Sequence, residues 1–290
     1  MDKRPGALDW LLLFFLALIW GSSFILMKKG LEAFRPDQVA ALRIVITAIV
    51  LLPFAWLRRS EVSQAKIKII FVQGMFGNFI PAFLFPAAQS HIDSATAGIL
   101  NSLSPVWVFI LGIIFFRSKY NLIKLLGLVF AFGGVILLMS FQQKHGVTSG
   151  IGFAWLIVIA TVCYGINTHI IKRYLQEIHP ITITAIAFAI ALVPAVIYLF
   201  VTGLPETLGG NQNAVASLCY IAILAVMGSA VASITFNKII QRTSALFAAS
   251  VTYLIPLVAL WWGFLAGEQI GMIDFFAMVI ILAGVYLVGK

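Results

Sequence analysis

The sequence predicts an all-α integral membrane protein of ten transmembrane helices, arranged as two inverted five-helix repeats. Three observations carry that prediction. First, 62% hydrophobic and 10% charged residues, with a mean hydropathy of +1.06, leave too little polar surface to cover a soluble globule. Second, the chain divides into ten apolar runs, each near the ~20 residues a helix needs to cross ~30 Å of hydrocarbon. Third, the chain echoes itself. Trp20-Gly21-Ser22-Ser23-Phe24 with Lys28-Lys29 returns 144 positions later as Tyr164-Gly165-Ile166-Asn167-Thr168 with Lys172-Arg173, and Pro36 falls opposite Pro180.

The first run, Leu8–Met27, follows Lys3 and Arg4 as a secretory signal would. It is too long, lacks a small-residue cleavage site and precedes nine similar runs, so it reads as a signal anchor. Val39–Leu57, Ile67–Gln89, Ala95–Phe116 and Leu122–Phe141 complete the first half. Ile151–Ile171, Ile181–Val201, Val215–Ile240, Ala245–Ala266 and Met272–Val288 make the second. These runs are continuous rather than alternating, and about twice the ~10 residues of a tilted barrel strand, so they are helices. Connections are short, the longest being Gly203–Ala214, where Gly203-Leu204-Pro205 reads as a loop. The polar stretch Gln142-Gln143-Lys144-His145-Gly146 divides the chain into repeats 1–145 and 146–290.

A net charge of +9 invites a nucleic-acid reading, and the placement of the basic residues argues against it. With the N-terminus in the cytoplasm, fourteen Lys and Arg fall in inner loops or adjoining helix ends, among them Arg58, Arg59, Lys66, Arg117, Lys172 and Arg242. Only Lys28, Lys29, Arg35 and Lys144 fall outside, with Arg43 inside the second run. That asymmetry orients both termini toward the cytoplasm of a cell (inner) membrane and explains the basic excess as topology plus attraction to anionic lipid. No nucleic-acid partner is expected.

Five helices per half start the second copy on the opposite side, so the repeats are inverted. A second alignment, offset by 151, pairs Gly77-Asn78 with Gly228-Ser229, Pro105 with Pro256 and Gly133 with Gly284. Duplicated bundles of this kind place a substrate site at the interface of the copies near the bilayer midplane, so the architecture points to a transporter.

These residues resemble the drug/metabolite transporter superfamily, in particular its ten-helix EamA-type exporters. The resemblance rests on Trp20-Gly21-Ser22-Ser23-Phe24, Lys28, Pro36, Arg43, Pro105, Gly127, Gly133, Gly134, Pro256 and Gly267-Glu268, and covers nearly the whole chain. It implies transport of small metabolites, often amino acids. One departure is Arg117, where the family usually has a glutamate at the end of helix 4.

Trp20 lies eight residues, or ~12 Å, before Lys28, which puts it near the membrane middle, and Tyr164 mirrors it. Ser23 and Asn167 follow these aromatics by three positions, giving each helix an aromatic and a polar group on one face. The competing reading is that the rings only pack between helices and Ser23 bonds its own backbone. Asn78 and Asn101 must face inward, because a primary amide in lipid would leave its polar atoms unpartnered. Asn101 and Ser104 adjoin Pro105, which removes a backbone donor; Thr252 and Tyr253 near Pro256, and Ser229 opposite Asn78, take the corresponding parts. Interhelical glue is the alternative role for these groups. Asn237 and Gln89 sit near helix ends where water can satisfy them.

Arg43 lies about four residues inside the second run, where it can snorkel outward, reach Asp93 or Asp37, or anchor a substrate carboxylate. His169, three residues before Lys172, reads as a helix-end group, with a proton relay as the alternative. No carboxylate falls deep in a run, so a neutral, aromatic cavity is expected, suited to zwitterionic or amphipathic molecules moved by a facilitator or by a carrier coupled through a helix-end group. No catalytic residue, metal cluster or cofactor is expected, and Cys163 and Cys219 sit in separate apolar runs. An intramembrane hydrolase using Gly21-Ser22-Ser23 and a distant His169, and a non-transporting helper, are the rival classes. The glycine faces of helices 5 and 10 permit close contacts within the chain or in a homo-oligomer.

Overall fold

The computed structural model describes residues 5–116, 122–144, 151–268 and 270–289. Arg117, Lys119, His145 and Gly146, like both terminal basic clusters, lie outside the described residues. The described helices are α1 (Ala7–Gly30), α2 (Pro36–Leu57), α3 (Gln64–Gln89), α4 (Ser94–Phe115), α5 (Leu122–Lys144), α6 (Ile151–Tyr174), α7 (Pro180–Val201), α8 (Ala214–Arg242), α9 (Ala245–Leu265) and α10 (Met272–Gly289). Eight contain an apolar stretch long enough to span a membrane; the apolar parts of α5 and α10, Leu122–Leu138 and Met272–Val288, are shorter. Every run read from the sequence is a helix within a few residues of its expected bounds.

Helix starts follow local chemistry. α2 and α7 open on Pro36 and Pro180, whose missing N–H falls among amides that have no intrahelical partner anyway. The hydroxyls of Ser63 and Ser244 accept from Lys66 N and Phe247 N and cap α3 and α9. Apolar side chains then cover the whole circumference, as a bundle solvated by lipid requires. On α1, Leu11, Phe14 and Leu18 face outward while Leu13, Leu16 and Phe24 are buried.

The packing repeats between halves. α2 lies against α7 and α5 against α10; α1 packs on α8 and α9, and α6 on α3 and α4. Exchanging the halves maps each contact onto another, which is what two inverted copies produce. The irregularities repeat as well. α3 and α8 are each widened by a π-helical stretch, Met75–Phe79 and Leu224–Val231, and α4 and α9 are each interrupted midway, at 102–103 and at Ser250–Tyr253. The breaks precede Pro105 and Pro256, which cannot supply an amide to the turn before them.

Glycine sets the closest approach at the equivalent π segments. A Cβ on Gly77 would stand 2.5 Å from Asn167 Oδ1, and one on Gly228 2.7 Å from Ser23 Oγ. Ser23 and Asn167 are 144 apart and Gly77 and Gly228 are 151 apart, so one steric solution occurs in both halves. At the α5–α10 contact, Gly127, Gly134 and Gly284 admit the partner helix's backbone, whereas a Cβ on Gly133 would meet nothing within 4 Å. Three of the four glycines noted on these helices therefore serve contacts inside the chain.

Two sequence expectations change here. The stretch read as a loop after Gly203 contains a helix, Leu204–Gly210, entered through Gly203 with φ of 72°. Gln89 and Asn237 do not rely on water at helix ends: both are buried, Gln89 Nε2 donating to Phe24 O (3.0 Å) and Asn237 Nδ2 to Thr184 Oγ1 (3.1 Å).

Candidate functional site

Between the halves lies a cavity of about 800 Å³, counting its part open to solvent. Pairs of equivalent positions line it, among them Trp20 with Tyr164, Ser23 with Asn167, and Asn101 with Thr252. The first two pairs follow the 144 offset and the third the 151 offset. Asn78 and Ser104 line it too.

The walls are aromatic and ordered by specific contacts. Trp20 Nε1 donates to Gly228 O at 3.1 Å, and its ring meets Phe236 edge-on at 5.1 Å. Tyr164 stacks with Phe85 at 6.0 Å, and Phe85 in turn meets Phe24. Such ring pairs fix an apolar surface of defined shape.

Polar groups of the lining are partly spent. The Ser23, Ser104 and Thr252 hydroxyls donate to Ile19 O, Asn101 O and Ala249 O within their own helices, which leaves only their lone pairs for the cavity. Asn78 Oδ1 accepts from Ser233 Oγ at 3.3 Å and Asn167 Oδ1 from Gln73 Nε2 at 2.8 Å. Asn101 Oδ1 and Gln73 Oε1 are buried with no hydrogen-bond partner among the described residues. An orphaned buried acceptor costs on the order of 1–3 kcal/mol, so these oxygens are suited to receive a donor from a bound molecule.

Gln73, Ser233 and Asn237 belong to this lining and were not selected from the sequence. Their signal was spacing: Gln73 precedes Gly77 by four, and Asn237 follows Ser233 by four, which puts each pair on one helix face.

Four expected residues stand differently. Ser229 does not line the cavity; its Oγ accepts from Arg43 Nε at 2.6 Å. Tyr253 is turned by the 3₁₀ segment toward α10, where its hydroxyl donates to Val285 O at 3.0 Å. Arg43 neither snorkels nor meets Asp93 or Asp37. Its face of α2 is turned to the π segment of α8, so the guanidinium enters the cavity, and the expected neutral lining carries a charge. His169 is half-buried rather than wet, its Nε2 set 2.8 Å from Val108 O on α4, outside the cavity lining.

The hydrolase constellation is not assembled. Ser22 Oγ accepts from Trp262 Nε1, Ser23 binds Ile19 O, and His169 faces Val108 O, so no Ser–His hydrogen bond forms among these residues.

At the end of the bundle where α1 finishes, Lys28 Nζ lies 2.8 Å from Glu268 Oε1 and 3.5 Å from Asp93 Oδ1. Glu268 also accepts from the first amides of α4, Ser94 N and Ala95 N, each at 3.1 Å. Its side chain is only 1% exposed although it follows a helix end. Burial pushes its carboxyl up, but the Lys28 hydrogen bond and charge with the Ser94 and Ala95 amides outweigh that and hold it below the usual carboxylate range. Asp93 is raised instead, by burial and by the neighbouring Glu268 charge. At the opposite end Arg242 Nε pairs with Asp9 Oδ1 at 2.6 Å, and Lys172 donates to the carbonyls of Thr243 and Ile240.

Comparisons with known proteins agree with this fold and identify the family. The sequence profile of the EamA-like transporter family fits residues 9–140 and again residues 151–290. An uncharacterized transporter of Archaeoglobus fulgidus is 26% identical over 96% of this chain and 98% of its own. The Escherichia coli K12 uncharacterized inner membrane transporter YedA is 26% identical, over 95% of this chain and 89% of that protein. A crystal structure 15% identical in sequence superposes with a TM-score of 0.66 over 98% of this chain and 96% of its own, a likeness of fold alone. Two profile matches on two inverted bundles, with a polar cavity between them, lead to one conclusion: the chain belongs to the EamA-like transporter family and is an integral membrane transporter.

Proposed function

We propose that this transporter moves small organic metabolites, amino acids among them, by alternating access around the central cavity. One observation carries the reading: equivalent positions of the two halves, Trp20 and Tyr164, Ser23 and Asn167, Asn101 and Thr252, border one cavity. A site built equally by both repeats stays whole while one half rocks against the other. The repeats are taken as 1–145 and 146–290, with both termini cytoplasmic. The basic asymmetry of the sequence supports that orientation, and the inner-membrane name of the Escherichia coli relative supports the same compartment.

The aromatic walls and free acceptor oxygens suit an amphipathic or zwitterionic molecule with a hydrogen-bond donor. Phosphates, which call for several cations, fit poorly. Trp20, Ser23, Asn78, Asn101, Ser104, Tyr164, Asn167 and Thr252 are the proposed substrate contacts. Ser229 holds the Arg43 guanidinium and Tyr253 ties α9 to α10.

Two measurements test this. A metabolite comparison of cells and medium, with and without expression, should show one class of solute redistributed. Purified protein in liposomes should then carry that solute. Redistribution in cells without flux in liposomes would favour a non-transporting helper.

A further inference from the structure

Arg43 is the one ionised side chain among the described residues that line the cavity. A guanidinium stays protonated in proteins, so it brings a full positive charge into a low-dielectric space. Only its Nε–H is engaged, on Ser229 Oγ at 2.6 Å. No carboxylate pairs with it among the described residues, because the acids nearest in sequence expectation are committed elsewhere. Asp37 holds Arg35 and the Tyr198 hydroxyl, and Asp93 and Glu268 share Lys28.

A purely structural tie between α2 and α8 does not need this charge. Thr47 already makes one, its hydroxyl lying 2.7 Å from Arg43 O and 3.0 Å from Ala225 O in the π segment. An unpaired cation in a membrane protein costs several kcal/mol, and such groups mark pathways for charged species. Ser229 holds the inner edge of the guanidinium, and Thr47 fixes the backbone beneath it. The planar fork opposite Nε is thus left for an acceptor with two oxygens.

We propose that Arg43 is an anion anchor: a single carboxylate of an organic substrate is the missing counterion, taken bidentately by the terminal nitrogens. The apolar body of the substrate then lies along the ring pairs Trp20–Phe236 and Phe85–Tyr164. One guanidinium balances one carboxylate, so monocarboxylates are favoured over their neutral amides, over amines and over multiply charged phosphates. The assignment rests on the reading of the cavity as the substrate site.

The test uses the full chain and a matched pair of probes, N-acetyl-L-phenylalaninate and N-acetyl-L-phenylalaninamide, which differ in charge but hardly in shape. Ligand-induced thermal stabilisation of purified protein should show at least tenfold tighter binding of the acid. Arg43→Gln should abolish that preference and leave amide binding within twofold. Arg43→Lys keeps the charge but not the fork, and should weaken the acid several-fold and the amide not at all. It decides the matter if the glutamine variant does not fold. Equal binding of the two probes by the wild type, a preference that survives in Arg43→Gln, or binding of neither probe overturns the anchor. Counterflow of the acid in proteoliposomes is measured separately. Charge-selective binding without flux leaves the anchor standing and sinks the transport reading for this class of molecule.

Discussion

The carboxylate of Glu268 illustrates how one side chain is fixed by several small terms. Two backbone amides and one ammonium meet it within 3.1 Å, in a place from which water is almost excluded. Its folded-state pKa lies below the ordinary value, so the stability it contributes is fully present above the unfolded-state pKa. That contribution is lost as pH falls through the folded value. Glu268→Gln is expected to lower thermal stability at neutral pH by roughly 1–2 kcal/mol, discounted because Lys28 is partly exposed, and to reduce the stability lost as pH falls through the carboxylate range. Unfolding curves at neutral and acid pH check both parts; an unchanged acid sensitivity would place the titration elsewhere. In the cavity, Asn101→Leu and Asn78→Leu should each reduce flux about tenfold while leaving folded yield largely intact, because a lost ligand contact costs ~1–2 kcal/mol only when substrate is bound. Loss of stability with normal transport by the surviving protein would mark them as glue. Asn101 was legible in the sequence because an amide in lipid has nowhere else to go. Arg43 was singled out but its role was left among three alternatives, because an apolar run gives its depth but not its azimuth, which is fixed by contact with α8.

At the scale of helices, the bulges and breaks decide which residues meet. A π segment adds one residue to a turn, and this re-aims everything after it on α3 and α8. Apolar periodicity cannot register that insertion, which is why Ser233 escaped notice and Asn237 read as a helix-end group, while the helices themselves were plain. The punctuating residues were visible, since Gly77, Gly228, Pro105 and Pro256 mark where the irregularities occur. The α5–α10 contact offers an internally controlled test. Gly284→Ala would push a methyl into the backbone at Ala131 and should cost about 1–3 kcal/mol of stability. Gly133→Ala, at the equivalent position of α5 but facing open space, should be neutral or slightly stabilising. Tryptophan-monitored thermal unfolding in detergent measures both; equal losses would show that α5 and α10 do not pack as described.

For the whole molecule, orientation and energetics can be tested without a known substrate or with one. Thiol labelling of single cysteines in an otherwise cysteine-free protein should find the segment 58–66 inaccessible to impermeant reagent in intact cells, in keeping with its basic residues. Ready labelling there would reverse the topology. The absence of an acid among the described cavity-lining residues predicts downhill flux and counterflow without a proton or sodium gradient. Proton-driven accumulation that His169→Ala abolishes would overturn this and make His169 the coupling group. Helix number and duplication were readable from composition and spacing because lipid permits so few architectures. What a bundle of this kind carries was not, because that depends on which few polar atoms remain unsatisfied after packing.

An ideal inverted duplication has degenerate end states: whichever side is sealed, the same interactions do the sealing. The Lys28–Glu268 contact lifts that degeneracy. Moving 144 positions from Lys28 gives Lys172, and moving back 151 from Glu268 gives position 117, where the sequence carries arginine. At the sequence positions equivalent to this attracting pair stand two basic residues instead of an acid and a base. The ground state of the empty carrier should therefore be biased toward closure at the Lys28 mouth, as an energy offset written into two codons rather than into the fold. If the proposed alternating access holds, Arg117→Glu, which gives the equivalent position the acid of the Lys28–Glu268 pair, should bring the two states closer to parity, and side-specific labelling of a cavity cysteine at Ser233 would register that as a redistribution of access between the two faces.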